Sequence, residues 1–193
     1  MARRNHVKSA QKEQGNCAVC GKPIHKGMPY NFACPYYRGK ISWHDDCKLP
    51  ESRLHSGHVA DLMAVCEGLE SIESEGAGEA LRSAAEDVRS IAGEYQEGAD
   101  NQREYFPNSE TADESEQKAG DLEQWADELE SAADEIGTLE QELSDLQSEK
   151  DDLDNKEDLN EENKARLEEL DSEIESKESE IQDKVSEVSE CPV

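Results

Sequence analysis

Four residues near the start of the chain have the types and the spacing to hold a metal ion. Cys17 and Cys20 form a C-x-x-C pair, His44 and Cys47 form an H-x-x-C pair, and twenty-three residues separate Cys20 from His44. Gly21 follows the first pair and permits the tight turn that presents both sulfurs to one point. Together the pairs offer three thiolates and one imidazole, a donor set suited to a closed tetrahedron around one structural zinc ion. With every position filled by protein no place is left for a water, so a catalytic zinc is not expected. A lone C-x-x-C would also suit a redox pair. The second pair, and the lack of a βαβ pattern around the first, favour metal. Cys34 and His25 compete for a ligand place. Cys34 stands before Pro35 with no partner at knuckle spacing, so packing or a free thiol is the expectation for it. Metal binding would supply folding energy that so small a module cannot draw from its core.

The residues between the two pairs raise a second possibility. Arg3, Arg4, Lys8 and Lys12 precede the module, and Lys22, Lys26, Arg38 and Lys40 lie within it. Interleaved with them are Tyr30, Phe32, Tyr36, Tyr37 and Trp43, five of the nine Phe, Trp and Tyr residues in the chain. Cations can contact phosphates and aromatic faces can stack on bases, so these basic residues and Trp43 are candidate nucleic-acid contacts. The alternative is that the aromatics are the module's minimal core and the cations keep it soluble.

The pattern Cys17-x-x-Cys20-x-x-x-Ile24-x-Lys26-Gly27, followed by Trp43-His44-x-x-Cys47, resembles the zinc finger of poly(ADP-ribose) polymerases and DNA ligase III. In that family three Cys and one His hold zinc, and the finger recognises DNA breaks through backbone contacts and stacking. The resemblance implies that Cys17, Cys20, His44 and Cys47 are the ligands and that the module binds DNA. The wider chain, over about residues 1–140, is similar to uncharacterised proteins of tailed bacteriophages. Those share a basic arm before "QGNCAVCGKPIHKG", a "PESRL"-like segment and acidic helices downstream.

What positions this module is a chain of 193 residues with 34% hydrophobic and 5% aromatic content and a formal net charge of -28. So little apolar side chain cannot offset the ordering entropy of one large core. A small zinc-bound α+β module followed by mainly α structure fits better. The charge is split: the chain through His58 carries a net +6, and the part from Val59 onward carries 44 Asp+Glu against ten Lys+Arg. Two portions with different partners are expected. No apolar run approaches the roughly 20 residues of a membrane span. The basic N-terminus has no apolar segment behind it and is not a secretory signal. An intracellular location is expected, the host cytoplasm if the protein is viral.

Five stretches follow. Residues 1–15 are a polar, basic arm and 16–57 the zinc finger. Residues 58–97 are helical, interrupted by the glycine-rich "EGAGEA" at 75–80; Val59, Leu62, Met63, Cys66, Leu69 and Ile72 share a face before it, and Leu81, Ala84, Ala85, Val88, Ile91, Ala92 and Tyr95 after it. Residues 98–119 lack a period, contain Pro107 and are expected as a flexible linker. Residues 120–190 are an acidic coiled coil or antiparallel helical hairpin. There Leu122, Trp125, Leu129, Ala132, Ile136, Leu139, Leu143 and Leu146 alternate spacings of three and four, with Leu153 one heptad on. Leu167, Leu170, Ile174, Ile181, Val185 and Val188 form a second seam in a different register, and Asp158 with Glu161 suits a capping box at its start. Cys191, near the end, could cross-link a dimer, although a free thiol is the simpler expectation.

Function classes narrow accordingly. There is no phosphate-binding Gly loop, nucleophile elbow or dinucleotide fingerprint, so an enzyme is not expected. A zinc-binding, DNA-binding accessory protein is the first expectation. The alternative is an interaction or scaffold protein, or an acidic DNA mimic, whose zinc finger is purely structural and whose 120–190 segment binds a partner or itself.

Overall fold

The structure, a computed structural model, describes residues 3–35, 39–155 and 161–190. Three short strands come first, β1 (Asn5–Val7), β2 (Tyr30–Ala33) and β3 (Ile41–His44), then a 3-10 turn at Glu51–Leu54. Four helices follow, α1 (His58–Leu69), α2 (Ala77–Tyr105), α3 (Glu110–Asp154) and α4 (Glu161–Val188). The chain divides into two compact units, Met1–Glu67 and Gly68–Val193. Among the described residues no helix is long and apolar enough to cross a membrane.

The first unit is an antiparallel sheet of order β1-β2-β3, with Val7 opposite Tyr30 and Tyr30 opposite His44. Its core is small: Ala10, Cys17, Ile24, Tyr30, Ala33, Trp43, Leu49 and Leu54 are buried together. The basic arm expected at 1–15 is tied into this unit over its described residues. Residues 5–7 are a strand of the sheet, Ala10 exchanges backbone hydrogen bonds with Met28 and Gly27 at 2.9 and 2.8 Å, and Gln14 donates to the Ile24 carbonyl at 3.1 Å. Val7 and Ala10 are too few to show a period, yet the sheet needs the third strand to pair β2 on both sides. The 3-10 turn is tied to α1 by Ser52, whose Oγ and N–H donate to the Glu67 carboxylate at 2.7 and 3.1 Å.

The second unit holds α2, α3 and α4. Gly76, at φ +74°, precedes the first turn of α2, a left-handed position suited to glycine. Gly78 is needed for a different reason: a Cβ there would lie 3.2 Å from the Ala133 carbonyl oxygen of α3. The glycine-rich interruption is thus a turn followed by a close helix crossing. The apolar face read from Leu81 to Ala92 is buried.

Residues 98–119 are not a flexible linker. Residues 98–105 complete α2 and 110–119 begin α3, leaving a turn of four residues at 106–109. Pro107 stops one helix, and Ser109 caps the next by accepting from the Ala112 N–H at 3.3 Å. The buried residues that continue the faces here are alanines, Ala99, Ala112 and Ala119. Their small side chains leave almost no hydropathy signal.

Charge pairs trace the helix directions. Arg82 holds Asp134 at 2.9 Å, Arg89 holds Asp127 at 2.8 Å and also Glu130, and Arg103 holds Asp113 at 2.7 Å and also Glu116. As residue numbers rise on α2 their partners fall on α3, so the two run antiparallel. α4 also runs antiparallel to α3: Arg166 with Glu149 at 2.9 Å and Lys150 with Asp171 at 2.6 Å lie near the connection, and Lys177 with Glu142 at 2.7 Å and Lys184 with Glu135 at 2.6 Å lie progressively farther from it. The Trp125 indole N–H closes the far end on the Val188 carbonyl at 3.0 Å. Exposed pairs of this kind contribute little stability each, about 0–1 kcal/mol, but opposite charges fix register.

Of the two arrangements expected for 120–190, the antiparallel hairpin is the one the chain adopts. Leu122, Trp125, Leu129, Ala132, Ile136, Leu143 and Leu153 of the first seam are buried, as are Leu170, Ile181 and Val185 of the second. Asp158 of the expected capping box, like Cys191, lies outside the described residues.

Candidate metal centre

Local hydrogen bonds build the knuckle. The Cys17 N–H donates to the Lys22 carbonyl at 2.7 Å, the Gly21 N–H to the Cys17 carbonyl at 3.0 Å, and Asn16 bridges Pro23. Gly21 takes φ +72°, as the sharp reversal requires. The second pair leaves the sheet: His44 is the last residue of β3, and the Cys47 N–H turns back to the His44 carbonyl at 3.1 Å. A strand end and a knuckle thus deliver two ligands apiece.

The four ligand atoms of Cys17, Cys20, His44 and Cys47 all lie within 4.8 Å of one another. In a zinc tetrahedron the Zn–S and Zn–N lengths imply ligand-to-ligand edges of roughly 3.5–3.8 Å. The Cys20 Sγ to His44 Nδ1 separation of 3.3 Å is near that edge. The donor set can therefore hold one metal ion, and its chemistry fits zinc. Cys17 is buried, Cys47 and His44 are partly so, and Cys20 is exposed.

The surroundings tune the donors. Burial opposes ionisation of Cys17, but backbone N–H groups of Cys20, His44 and Val19 aimed at its sulfur outweigh it and bring the thiol down to about 6. The Val19 and His44 N–H groups lie 3.4 Å from that sulfur. Burial pushes the Cys47 thiol up to about 11, reinforced by the neighbouring Cys17 and Cys20 sulfurs. Such crowding of like charge is what a dication would relieve. His44 is raised chiefly by its contact with Cys20. Its Nε2 lies 3.3 Å from the Pro23 carbonyl, an acceptor that keeps the proton on that nitrogen and leaves Nδ1 for the ion.

Neither competitor joins the cluster. Cys34 is exposed and outside it, and His25 Nδ1 is 3.2 Å from Glu13 Oε1.

The expected nucleic-acid contacts divide. Arg3, Lys8, Lys12, Lys22 and Lys26 are exposed. Arg4 is exposed but paired with Glu51. Arg38, with Tyr36 and Tyr37, lies outside the described residues. Lys40 donates to Gln14 Oε1 at 2.8 Å and sits 5.0 and 4.6 Å from the Tyr30 and Phe32 ring centres. Trp43 must be corrected. It is 4% exposed, in the core beneath β3, and has no face to offer a base. Strand alternation explains this: His44 points to the metal, so its neighbour Trp43 points to the other side.

Sequence reasoning missed Arg53, whose Nη1 donates to the Ala18 carbonyl at 2.7 Å beside the knuckle. The only signal was its place in the segment after the last ligand. Comparison of the chain with protein-family profiles, curated proteins and solved structures finds no match.

Proposed function

We propose that the chain is a zinc-binding, non-enzymatic accessory protein whose N-terminal unit engages the phosphate backbone of DNA. The observation that carries this reading is the convergence of Cys17, Cys20, His44 and Cys47 within 4.8 Å, on a unit whose exposed surface includes Arg3, Lys8, Lys12, Lys22 and Lys26. The ion would be a structural one, ordering the knuckle that presents Lys22. With Trp43 and Tyr30 in the core, stacking contributes less than was expected and phosphate contact more. Binding of that kind is largely insensitive to sequence and strongly dependent on salt.

The test is duplex binding by fluorescence anisotropy at several salt concentrations, with metal content measured on the same samples. The expected result is one zinc per chain, binding that weakens as salt rises, and loss of binding on chelation. Binding unchanged by chelation, or absent at low salt, would overturn it.

A second reading is an interaction protein. Tyr105 and Phe106, at the turn between α2 and α3, are 74% and 65% exposed, which favours a partner at that turn. Self-association through 120–190 belongs to the same reading. Loss of a partner on Tyr105→Ser with Phe106→Ser, with DNA binding absent, would favour it.

A further inference from the structure

We propose that a cleft beside β3, lined by Asn16, Ala18, Lys40, Ile41, Ser42 and Arg53, binds a single phosphate group of a nucleic-acid backbone. The source of the phosphate rests on the DNA reading above; the cleft itself stands on its own geometry. Its volume of about 460 Å³ admits a phosphodiester with its flanking sugars, and among the described residues no carboxylate lines it.

What singles the cleft out is that two cations without a carboxylate partner share it, in a chain with 48 Asp+Glu against 20 Lys+Arg. Arg4, Arg82, Arg89, Arg103, Lys150, Lys164, Arg166, Lys177 and Lys184 each hold one. Lys40 and Arg53 hold none among the described residues, yet they converge on one cleft.

Both are held in place by neutral groups. Lys40 is fixed by Gln14 Oε1 at 2.8 Å, the Tyr30 hydroxyl at 3.3 Å and the two rings beneath it. Arg53 spends one donor on the Ala18 carbonyl, which anchors the guanidinium and leaves its other donors for a ligand. Ser42 is only 8% exposed, lines the same cleft, and its hydroxyl makes no hydrogen bond among the described residues. A guanidinium from the 3-10 turn, with an ammonium and a hydroxyl from the start of β3, suits a tetrahedral oxyanion better than a planar carboxylate.

Two cations on one phosphate make a quantitative expectation. Neutralising one phosphate contributes about one to the slope of log affinity against log salt, whereas two separate contacts would contribute about two. The experiment uses the full, zinc-loaded chain with a duplex oligonucleotide. Lys40→Gln with Arg53→Gln should weaken binding about tenfold and lower the slope by about one. Arg53→Lys, which keeps the charge and loses the fork, should give a smaller loss with the slope unchanged. It also covers the case in which the double variant loses zinc or fails to fold. In a parallel titration with inorganic phosphate, the amide resonances of Ala18 and Ser42 should shift in the wild type and stay still in the variants.

If DNA binds and neither cleft variant weakens it, while Lys22→Gln with Lys26→Gln does, the cleft is overturned and the DNA reading stands. If DNA fails to bind but inorganic phosphate shifts those amides, the cleft is supported and its assignment to a nucleic-acid backbone is overturned. If neither ligand has an effect, both proposals fall.

Discussion

Replacing Cys20 with serine should unfold the N-terminal unit and leave the helical unit standing. Cys20 is exposed, so the substitution removes no core volume, and what is lost is lost through the metal. The core of that unit has five large side chains, Ile24, Tyr30, Trp43, Leu49 and Leu54. At about 1.5–3 kcal/mol each they contribute on the order of 8–15 kcal/mol. A structural zinc contributes ~10–16 kcal/mol at neutral pH. The two contributions are of similar size, so a unit deprived of its ion has lost about half of what offsets its ordering entropy. That is comparable to or larger than the whole margin of stability of an ordinary small domain, about 5–15 kcal/mol.

The two tryptophans make the assay clean, because Trp43 lies in one unit and Trp125 in the other, 4% and 5% exposed. In a Trp125→Phe background, Cys20→Ser or chelation of the wild type should red-shift Trp43 emission. In a Trp43→Phe background the same treatments should leave Trp125 emission unchanged. Metal content by mass spectrometry should fall from one ion per chain to a small fraction. A Cys20→Ser protein free of metal but with blue-shifted Trp43 emission would refute the energetic argument. One that keeps its zinc would refute the ligand assignment.

Three further outcomes are expected. Ile136→Ala, at a fully buried position of α3, should lower the stability of the helical unit by about 2–5 kcal/mol and leave zinc content unchanged, as read by denaturant melts and metal analysis. Hydrogen bonds from Arg103 and Arg166 hold the Glu116 and Glu149 carboxyls below their ordinary value of 4.5. Their stabilisation is complete above that value and is lost as pH falls through the lowered ones; Arg166→Gln should therefore destabilise the α3–α4 hairpin at pH 7 but match the wild type under strong acid, measured as melting midpoints. Salt should raise the melting midpoint of the helical unit by screening its excess carboxylates, and it should weaken the proposed DNA binding of the N-terminal unit; a midpoint that falls with salt would count against that division of charge.

Much of the candidate site was legible because its information is local. Cysteines three apart with a following glycine fold back on themselves, and an H-x-x-C does the same, so four ligands could be named before any contact was known. Heptad spacing is likewise local, and it marked the buried faces of α2, α3 and α4 from Leu81 to Val185. The continuity of helix through 98–119 was not legible, since alanines fill its buried positions and Pro107 looked like the mark of a long loop rather than a four-residue turn. Nor was the role of the basic arm, because pairing with β2 is decided by a partner strand more than twenty residues away.

Tertiary structure decided three things. Whether the second seam would meet the first within one chain or between two depends on how the ends of α3 and α4 find each other, which the Lys184–Glu135 and Trp125–Val188 contacts show. Whether Trp43 faces a ligand or the core depends on which side of β3 the metal takes, and the sheet gives His44 to the metal and Trp43 to the interior. That Lys40 and Arg53 share a cleft free of carboxylates depends on a strand and a 3-10 turn folding together. Residue type and spacing determine what a short segment can hold; only the packed chain determines which side chains are spent holding it together and which are left to meet something else.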